Sequence, residues 1–279
     1  MRVKVGDVSL FFDVEGAKLR PDGDTMREVP TVVLLHGGPG FDHSGLRSYF
    51  DRFADTHQVI YLDHRGNGRS GGSPDTWTLA QWGDDIHAFC QALGIDKPVV
   101  FGQSFGGMVA MSYAARHPEA PSRLIFSSTA GNMDWDAIYD AFERLGGPEA
   151  RTLAERFWIA PTPEIVTEYM RVCRPLYNPI GTGARDARDR AIMRTPVMID
   201  FITGEQRTMN LLAGLSVVQC PTLVLAGGLD PVTPPPCARA IHAALPAQWS
   251  ELVVYDDAGH GIYRDKPDEA EALLRRFLA

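Results

Sequence analysis

One serine lies in a sequence pattern that suits a nucleophile. The segment Gly102–Gly106 reads G-x-S-x-G, directly after the apolar run PVVF and directly before a helix predicted over 108–117. In a strand–turn–helix context this pattern puts the serine on a sharp turn, where glycines avoid clashes with the neighbouring strand and helix. We predict that Ser104 is a nucleophile held at the positive end of a helix. The alternative is a glycine-rich turn whose serine only caps the helix.

A serine hydroxyl is unreactive near neutral pH, so this chemistry requires a base and a group that orients the base. Among the eight histidines, His260 alone follows the last predicted strand, in the glycine-lined segment Asp257–Ile262. A side chain in that loop can reach the carboxyl edge of the sheet. We therefore predict His260 as the general base, with an ordinary loop histidine as the alternative.

The acid that would orient this histidine is predicted at Asp230. It follows the apolar run PTLVLAG in the segment Gly227–Pro231, which is another loop at the carboxyl end of a strand. An ionised carboxylate there would keep the imidazole in the correct tautomer and stabilise the imidazolium as it forms. Asp256 and Asp257 are rival acids, but they come only a few residues before His260, at the end of its own strand.

A glycine-rich loop earlier in the chain could stabilise the oxyanion of a tetrahedral intermediate. The run TVVLL leads straight into the segment His36–Gly40, HGGPG. A loop in this place can aim a backbone N–H at the developing negative charge, together with the N–H of the residue after the nucleophile. Gly38 and Phe105 are the predicted donors, with Gly37 as the substitute for the first. A purely structural turn is the alternative.

A second glycine pattern has the spacing of a dinucleotide-binding fingerprint. The segment Gly66–Gly71 reads G-x-G-x-x-G after the apolar run VIYLD. That fingerprint requires a helix to begin at the glycines, whereas the residues that follow, GSPD, are typical of a loop. We therefore interpret the segment as a structural turn in which Asp63 and Arg65 tie neighbouring loops together. None of these motifs implies a metal or an organic cofactor.

These motifs adjoin short apolar runs that alternate with segments of helical character. Apolar runs without polar alternation are typical of strands covered on both faces, and helices between them imply a parallel sheet. The opening segment, 3–12, alternates apolar and polar residues about a glycine and predicts an antiparallel hairpin at the sheet edge. The other predicted strands cover 31–35, 59–63, 98–102, 123–126, 221–227 and 251–255.

The segment 131–210 has no strand-like run and is too long for a simple connection, so it must carry its own structure. The predicted fold class is therefore α/β, with a mostly parallel sheet, helices on both faces and a helical cap insertion. Residues 1–130 and 211–279 would form the core, and 131–210 the cap. Three patches of helical character predict the cap helices: 136–145, 149–158 and 164–173.

Composition excludes several classes of function. Acidic residues outnumber basic ones by 35 to 27, the formal net charge is -8, and no basic run exceeds two residues. Nucleic acid is therefore not an expected partner, because phosphate binding needs clustered lysine and arginine. The four cysteines lack disulfide or metal-ligand spacing. No apolar run is long enough for a signal peptide or a membrane span, so we expect a cytoplasmic protein with no membrane partner.

Five motifs together resemble the α/β-hydrolase superfamily. The predicted order of Ser104, Asp230 and His260 is also the order of that superfamily, and not that of chymotrypsin or subtilisin. The similarity covers the sheet-forming chain, 31–125 and 215–279. The motifs are HGGPG at 36–40, DHRGNGRS at 63–70, GQSFGG at 102–107, LDPVTPP at 229–235 and DAGH at 257–260.

Within this superfamily, HGGPG combined with D-x-R-G-x-G-x-S is similar to the proline iminopeptidase group, whose members remove N-terminal proline from peptides. That group usually shows G-G-S-W-G at the elbow and D-Q-R-G in the turn. This chain departs from both patterns, with Gln103 and Phe105 at the elbow and His64 in the turn.

The resemblance implies a serine hydrolase without a cofactor that acts on a short peptide or another small molecule. Members of the group bind the free amine of the substrate through cap acids, for which Asp200 and Glu205 are the candidates here. A carboxylesterase or lactonase is the alternative, because fold and triad serve either substrate and specificity depends on the cap and pocket. A hydrolase-like binding protein is a third alternative, which the complete predicted triad disfavours. The sequence leaves the oligomeric state open.

Overall fold

The computed structural model of the protein describes residues 1–180 and 190–279. It contains ten strands in the described residues, eight of them in one sheet. The strands are β1 (Arg2–Val5), β2 (Val8–Glu15), β3 (Leu19–Asp22), β4 (Thr25–Glu28), β5 (Thr31–Leu35), β6 (Gln58–Leu62), β7 (Val99–Gln103), β8 (Arg123–Ser127), β9 (Thr222–Gly227) and β10 (Ser250–Tyr255).

The large sheet has the order β1-β2-β6-β5-β7-β8-β9-β10. Every neighbouring pair from β6 to β10 is parallel, and only β1 and β2 pair antiparallel to their neighbours. Strand β5 is buried at all five positions of TVVLL, as expected for a strand covered on both faces. The six predicted apolar strands are all present, with bounds within one residue of the expected ones.

Two hairpins precede the first parallel strand in the chain. The predicted N-terminal hairpin is confirmed, because β1 pairs with β2 and β2 continues the sheet against β6. A second hairpin, β3 with β4, was missed in the sequence. Its strands, LRPD and TMRE, are short and mostly exposed, so they lack the alternation of apolar and polar residues that indicates a strand.

Helices cover both faces of the sheet. No helix in the described ranges is long and apolar enough to cross a membrane. The α-helices are α1 (Leu79–Ala92), α2 (Phe105–Arg116), α3 (Trp135–Ile159), α4 (Pro163–Val172), α5 (Thr195–Thr203), α6 (Pro235–Ala244), α7 (Ile262–Asp265) and α8 (Pro267–Leu278). Short 3-10 helices span His43–Gly45, Phe50–Asp55, Pro74–Thr76, Arg174–Tyr177, Glu205–Arg207 and Leu212–Val217.

Alternate residues of each parallel strand enter different apolar cores. In β5, Val33 and Leu35 belong to a cluster with residues of α1, α2 and α6, whereas Val32 and Leu34 belong to a cluster with residues of α8. Successive side chains of a strand point to opposite faces, so the two clusters lie on the two sides of the sheet. The predicted fold class, an α/β fold with a mostly parallel sheet between helices, is therefore confirmed.

Helices fill the described chain between β8 and β9, where it contains no strand. Helix α3 is kinked at Gly147, whose φ of 76° and ψ of -177° are not helical, and Pro148 follows. The two helices predicted on either side of these residues are therefore present as the halves of one kinked helix. Helices α3, α4 and α5 share an apolar cluster that also includes Val232, which follows Asp230 in the loop after β9. The division into core and cap at residues 130 and 211 stays a prediction.

Candidate active site

Ser104 lies on the sharp turn between β7 and α2. Its backbone has φ 57° and ψ -121°, a conformation that residues other than glycine rarely adopt. The Ser104 N–H donates to the Ser127 carbonyl at 3.0 Å, and the Thr129 hydroxyl donates to the Ser104 carbonyl at 2.7 Å. The Ser104 side chain makes no cap hydrogen bond with α2. This geometry disfavours the alternative in which the serine serves only as a helix cap.

Two positions at this turn must be glycine, because another part of the backbone lies too close for a side chain. A Cβ atom on Gly102 would lie 2.3 Å from the Gly106 carbonyl oxygen, and a Cβ atom on Gly106 would lie 2.1 Å from the Leu35 carbonyl oxygen. The opposing atoms are backbone and cannot rotate away, so no side chain fits at either position. The G-x-S-x-G pattern is therefore explained by the packing of α2 against β5 and β7, which fixes the position of Ser104.

Asp230 and His260 lie on neighbouring loops at the carboxyl end of the sheet. Strands β9 and β10 are parallel and in register, with Gly227 opposite Tyr255, so the loops that follow them leave the sheet side by side. The His260 Nδ1 atom is 2.8 Å from Asp230 Oδ2. Both side chains are buried. The structure thus brings the predicted base and the predicted acid into direct contact.

Both oxygens of the Asp230 carboxylate accept hydrogen bonds. Oδ1 accepts from the N–H groups of Val232 and Thr233 at 2.8 and 3.0 Å, and Oδ2 accepts from the Thr233 hydroxyl at 2.8 Å. Complete burial opposes ionisation, but the neighbouring His260 and these hydrogen bonds outweigh it and lower the pKa of Asp230. The group is therefore an ionised carboxylate near neutral pH, with a fixed orientation.

Three hydrogen bonds and one ring contact hold the loop that carries His260. The His260 N–H donates to the Tyr177 carbonyl at 2.6 Å, and the two rings pack edge to face with centroids 5.2 Å apart. Gln103 Nε2 donates to the His260 carbonyl at 3.2 Å. The Gly259 N–H donates to Asp265 Oδ2 at 2.6 Å. The backbone on both sides of the imidazole is therefore anchored, once by the cap and twice by the core.

These supporting residues were not identified in the sequence. Tyr177 comes from a cap segment without a recognisable motif, and Asp265 lies in a four-residue helix, α7. Gln103 could have been found, because it stands inside the G-x-S-x-G segment where the proline iminopeptidase group has glycine. Its amide explains that departure, since the side chain joins the elbow to the loop of His260.

The other two residues that differ from the group pattern, His64 and Phe105, contact each other. The rings of His64 and Phe105 pack edge to face with centroids 5.4 Å apart, and both side chains are buried. Burial, together with the charge of nearby His36, lowers the pKa of His64 well below its usual value. His64 is therefore a neutral ring that packs against the first residue of α2.

The predicted oxyanion donor Phe105 follows Ser104 directly in the chain, whereas Gly38 belongs to the loop after β5. Phe105 is the first residue of α2, so its N–H has no acceptor within the helix. Gly37 and Gly38 line the same cavity as Ser104, and a Cβ atom on Gly37 would lie 3.2 Å from the Ser104 Cβ. The loop after β5 therefore passes beside the nucleophile turn. The assignment of Gly38 and Phe105 as donors stays a prediction.

Ser104 and His260 line a cavity of about 360 Å³ whose wall combines residues of the core loops and of the cap segment. This volume is typical of a site for a small molecule. Thioether side chains are flexible and adapt to apolar groups of irregular shape. Five methionines contribute to the apolar part of the wall: Met108, Met133, Met170, Met193 and Met198.

The ionisable groups on the described cavity wall include one carboxylate, that of Asp42, and two guanidinium groups, those of Arg174 and Arg264. The carboxylate is already paired, because Asp42 Oδ2 accepts from the Arg69 guanidinium at 2.8 Å. Within the described residues, this wall therefore offers no unpaired carboxylate to the amine of a substrate.

The two cap acids predicted to bind a substrate amine are not among the residues that line this cavity. Glu205 Oε2 accepts from the Leu79 N–H at 2.7 Å, at the start of α1. Burial raises the pKa of Glu205, and this hydrogen bond opposes the rise. Asp200 is exposed on α5, two positions from Met198 and from Ile202, which do line the cavity. Residues two apart lie on opposite sides of a helix, so the Asp200 carboxylate is directed away from the cavity.

The glycine turn at 66–71 is fixed by buried contacts of Asp63 and Arg65. Asp63 Oδ1 lies 2.6 Å from the His43 ring nitrogen Nδ1, and Arg65 contacts both carboxylate oxygens of Asp85 at 2.7 Å. The predicted role of Asp63 and Arg65 in joining loops is therefore confirmed. The glycines lead into the short 3-10 helix and then α1, which begins at Leu79, so no helix begins at the glycines themselves.

Comparison with known proteins identifies the family. Residues 30–267 match the model of the alpha/beta hydrolase fold family, which is more than half of the chain. This protein belongs to the α/β-hydrolase fold family and is an enzyme of the hydrolase class.

Individual relatives differ in the substrates that their names give. The chain is 27% identical over 289 residues to a proline iminopeptidase from Levilactobacillus brevis, with 92% of this chain and 91% of the relative covered. It is 25% identical over 276 residues to RutD of Rhizobium rhizogenes, which is named for carbamate hydrolysis, with 96% and 97% covered. The resemblance to the proline iminopeptidase group is therefore confirmed as a similarity of sequence.

Solved structures share the whole fold. The proline iminopeptidase of Mycobacterium smegmatis has a TM-score of 0.77 at 24% identity, with 100% of this chain and 97% of that chain covered. Est816, described as an N-acyl homoserine lactone degrading enzyme, has a TM-score of 0.66 at 26% identity, with 99% and 100% covered. The similar proteins thus include both a peptidase and a lactone-degrading enzyme.

Proposed function

We propose that this α/β-hydrolase is a serine hydrolase whose triad consists of Ser104, His260 and Asp230. The proposal is supported above all by the 2.8 Å contact between His260 Nδ1 and the buried Asp230 carboxylate, beside a cavity lined by both Ser104 and His260. An ionised carboxylate can only accept a hydrogen bond, so Nδ1 carries the proton and Nε2 is left as the base.

In the first half of the reaction, the Ser104 Oγ attacks the substrate carbonyl while His260 Nε2 takes the hydroxyl proton. The N–H groups of Gly38 and Phe105 stabilise the oxyanion. Nε2 then protonates the leaving group, whose bond to the carbonyl carbon breaks, and the acyl group stays on Ser104. In the second half, water gives a proton to Nε2 and attacks the acyl carbon, and the acid departs as Oγ regains its proton.

For the substrate we propose a carboxylic ester or lactone with a small, largely apolar acyl group. This proposal is supported by the methionine-rich wall, by the pairing of Asp42 with Arg69, and by the position of Glu205 at the start of α1. A protonated amine moved from water into such a site would lose hydration without gaining an unpaired carboxylate partner among the described residues.

Release of N-terminal proline is the second candidate function. It is favoured by the relative from Levilactobacillus brevis, whose match covers nine-tenths of each chain, and by the HGGPG segment at 36–40. In this alternative the substrate amine would have to be bound by neutral acceptors on the described wall.

The two candidates are separated by a pair of amides that differ only in the amine. L-Proline p-nitroanilide and cyclopentanecarboxylic acid p-nitroanilide have the same ring size and the same leaving group. We expect no preference for the prolyl substrate, and efficient cleavage of p-nitrophenyl butanoate or a small lactone, with the variant Ser104→Ala as the blank for each. A prolyl preference of about tenfold or more in kcat/KM, equivalent to one hydrogen bond to a charged group, would instead establish the peptidase.

A further inference from the structure

Asp265 is a buried acid that the proposed triad does not use. It is the last residue of α7 and only 9% exposed. Its Oδ2 atom accepts from the Gly259 N–H at 2.6 Å and from Asn178 Nδ2 at 3.1 Å, and neither of these donors is a cation. A carboxyl group buried with neutral partners lowers stability relative to an apolar side chain in the same place. The position of this acid is therefore explained by the groups that it holds.

Asn178 reaches the same loop from the cap segment. It directly follows the 3-10 helix Arg174–Tyr177. Its Nδ2 atom donates to Asp265 Oδ2 at 3.1 Å and to the Gly261 carbonyl at 3.2 Å. A side-chain amide has two N–H hydrogens, so one residue can make both hydrogen bonds. Asn178 therefore connects the buried acid to the residue that follows His260.

Three consecutive residues around the proposed base have a backbone group held in this way. The buried acid accepts from the Gly259 N–H, the Tyr177 carbonyl accepts from the His260 N–H at 2.6 Å, and Asn178 donates to the Gly261 carbonyl. A Cβ atom on Gly259 would lie 2.1 Å from the Tyr177 carbonyl oxygen, so only glycine permits this close approach. The backbone of the base is therefore enclosed between α7 and the cap segment.

The two side chains act at a distance from the substrate. Neither Asp265 nor Asn178 is among the residues that line the cavity of Ser104. Their hydrogen bonds go to the backbone on either side of His260, whereas Asp230 contacts the ring itself. A base that is displaced by even a fraction of an ångström loses much of its effect on the rate. Any influence of this pair on catalysis must therefore pass through the position of the imidazole.

We propose that Asp265 and Asn178 are positioning residues for His260, and that the base is correctly oriented only while the segment 174–178 lies against the loop after β10. The inference rests on the proposed function, in which His260 is the base. Asp230 fixes the ring, and the Asp265–Asn178 pair fixes the backbone that carries it. The cap thus contributes to the chemical step as well as to the shape of the cavity.

The kinetic test begins with the acid. Asp265→Leu removes both acceptors but keeps a side chain that branches at the same atom. We expect kcat for p-nitrophenyl butanoate to fall about tenfold or more with KM nearly unchanged, because Asp265 does not line the cavity. Asp265→Asn should restore most of this loss, since its amide oxygen can accept the same two hydrogen bonds. An unchanged kcat in Asp265→Leu, or a change confined to KM, would overturn the proposal.

A matched control separates this role from a general effect on the loop. Asp257 is an exposed acid of the same loop, and its carboxylate accepts from the Lys266 ammonium group. Asp257→Leu makes the same chemical change without touching the backbone around His260, so kcat should stay near its original value. An equal loss of kcat in Asp257→Leu and Asp265→Leu would contradict a specific role of the buried acid.

The cap residue provides a second, independent variant. Asn178→Leu removes both donated hydrogen bonds from a residue that is only partly buried, and kcat should again fall with KM nearly unchanged. In the double variant with Asp265→Leu, the loss of kcat should be smaller than the product of the two separate losses, because one hydrogen bond is shared. Losses that multiply exactly would show two independent contacts and would contradict the paired role.

Proton NMR reports the orientation of the base without turnover. The proton between His260 Nδ1 and the Asp230 carboxylate should give a resonance at low field while the hydrogen bond holds it against exchange with water. In Asp265→Leu this resonance should broaden or disappear at a temperature at which circular dichroism shows a folded protein. It should persist in Asp265→Asn and Asp257→Leu. A sharp, unchanged resonance in Asp265→Leu would refute the positioning role.

The two readouts together distinguish the two proposals. A resonance that is lost in Asp265→Leu, combined with esterase activity that does not depend on Ser104, would refute the proposed function alone. Activity that does depend on Ser104, with kcat and the resonance both unchanged in Asp265→Leu and Asn178→Leu, would refute the positioning role alone.

Discussion

The loops after the parallel strands (the core side) and the helices between β8 and β9 (the cap side) build one cavity from two different kinds of position. On the core side, Ser104, Asp230 and His260 stand on loops directly after β7, β9 and β10. On the cap side, the wall consists of helix side chains such as Met198 on α5 and Trp158 on α3. Loops after parallel strands converge on one sheet edge at any separation in sequence, whereas helix residues reach a cavity only through their packing. The topology thus brings the residues of the proposed triad to one edge of the sheet, and helix packing shapes the rest of the cavity.

The strongest test of this comparison is to remove the proposed nucleophile. Ser104→Ala should lower kcat/KM for p-nitrophenyl butanoate by about 10⁴-fold or more, because the acyl intermediate forms on the Ser104 hydroxyl in the proposed mechanism. The midpoint of thermal unfolding, followed by circular dichroism, should stay within a few degrees of that of the unaltered protein. Retention of most of the activity would mean that the chemistry lies elsewhere in the cavity.

The next largest effect is expected at the acid. Asp230→Asn should lower kcat by about 10⁴-fold, the size of the corresponding change in a serine protease, since the amide holds the imidazole in the wrong tautomer. Asp256→Asn is the matched control, because this exposed rival acid lies near His260 in sequence. Similar kcat values for the two variants would remove Asp230 from the triad.

The core side of the site could be predicted because local sequence constraints are visible there. Gly102 and Gly106 must be glycine, because a Cβ atom at either position would lie 2.3 or 2.1 Å from a backbone atom. This requirement makes the turn at Ser104 recognisable in the sequence. Strands such as TVVLL are buried on both faces and therefore read as continuous apolar runs. The exposed hairpin β3–β4 carries neither signal, which explains why it was missed.

The cap side could not be predicted, because no local sequence constraint marks the residues that line the cavity there. Glu205 and Gln206 are adjacent in the chain, yet Glu205 accepts a hydrogen bond from the Leu79 N–H at the start of α1, whereas Gln206 lines the cavity. Which of the two faces the substrate depends on how a 3-10 helix lies against α3, and no pattern in the sequence encodes that orientation. Tyr177, which holds the His260 backbone, is a second example of a contact set by tertiary packing alone.

A smaller loss of activity is expected when a residue that supports the proposed triad is changed. Gln103→Met removes the hydrogen bond to the His260 carbonyl but keeps the length of the side chain. We expect kcat for p-nitrophenyl butanoate to fall about tenfold with KM nearly unchanged, because the bond orients the base, although Gln103 also lines the cavity. A change confined to KM would indicate that Gln103 binds substrate instead.

The smallest effect on activity is expected at the cap acid. Glu205→Gln should leave kcat/KM for esters and amides unchanged, since Glu205 does not line the cavity and glutamine can still accept from the Leu79 N–H. Steady-state kinetics on L-proline p-nitroanilide provide the check. A selective rise in KM for that substrate would return Glu205 to the role of amine anchor.

The same variant has a pH signature. Burial raises the folded-state pKa of Glu205 above the usual 4.5, so its stabilising contribution is present below about pH 4.5 and is lost as the pH rises through the raised value. In urea titrations from about pH 4 to about pH 7, the free energy of unfolding should therefore fall more for the original protein than for Glu205→Gln. The opposite slope would show that the carboxylate gains more from its hydrogen bond than it loses by burial.

The central claim is that Ser104 is the nucleophile, and a covalent label tests it most directly. The protein is treated with an alkyl fluorophosphonate, which phosphonylates activated serines, and the adduct is located by intact-mass measurement and peptide mapping. The account predicts one adduct per chain, on Ser104, that is absent in Ser104→Ala and forms far more slowly in Asp230→Asn. An adduct on another residue, or a label rate that does not depend on Asp230, would contradict it.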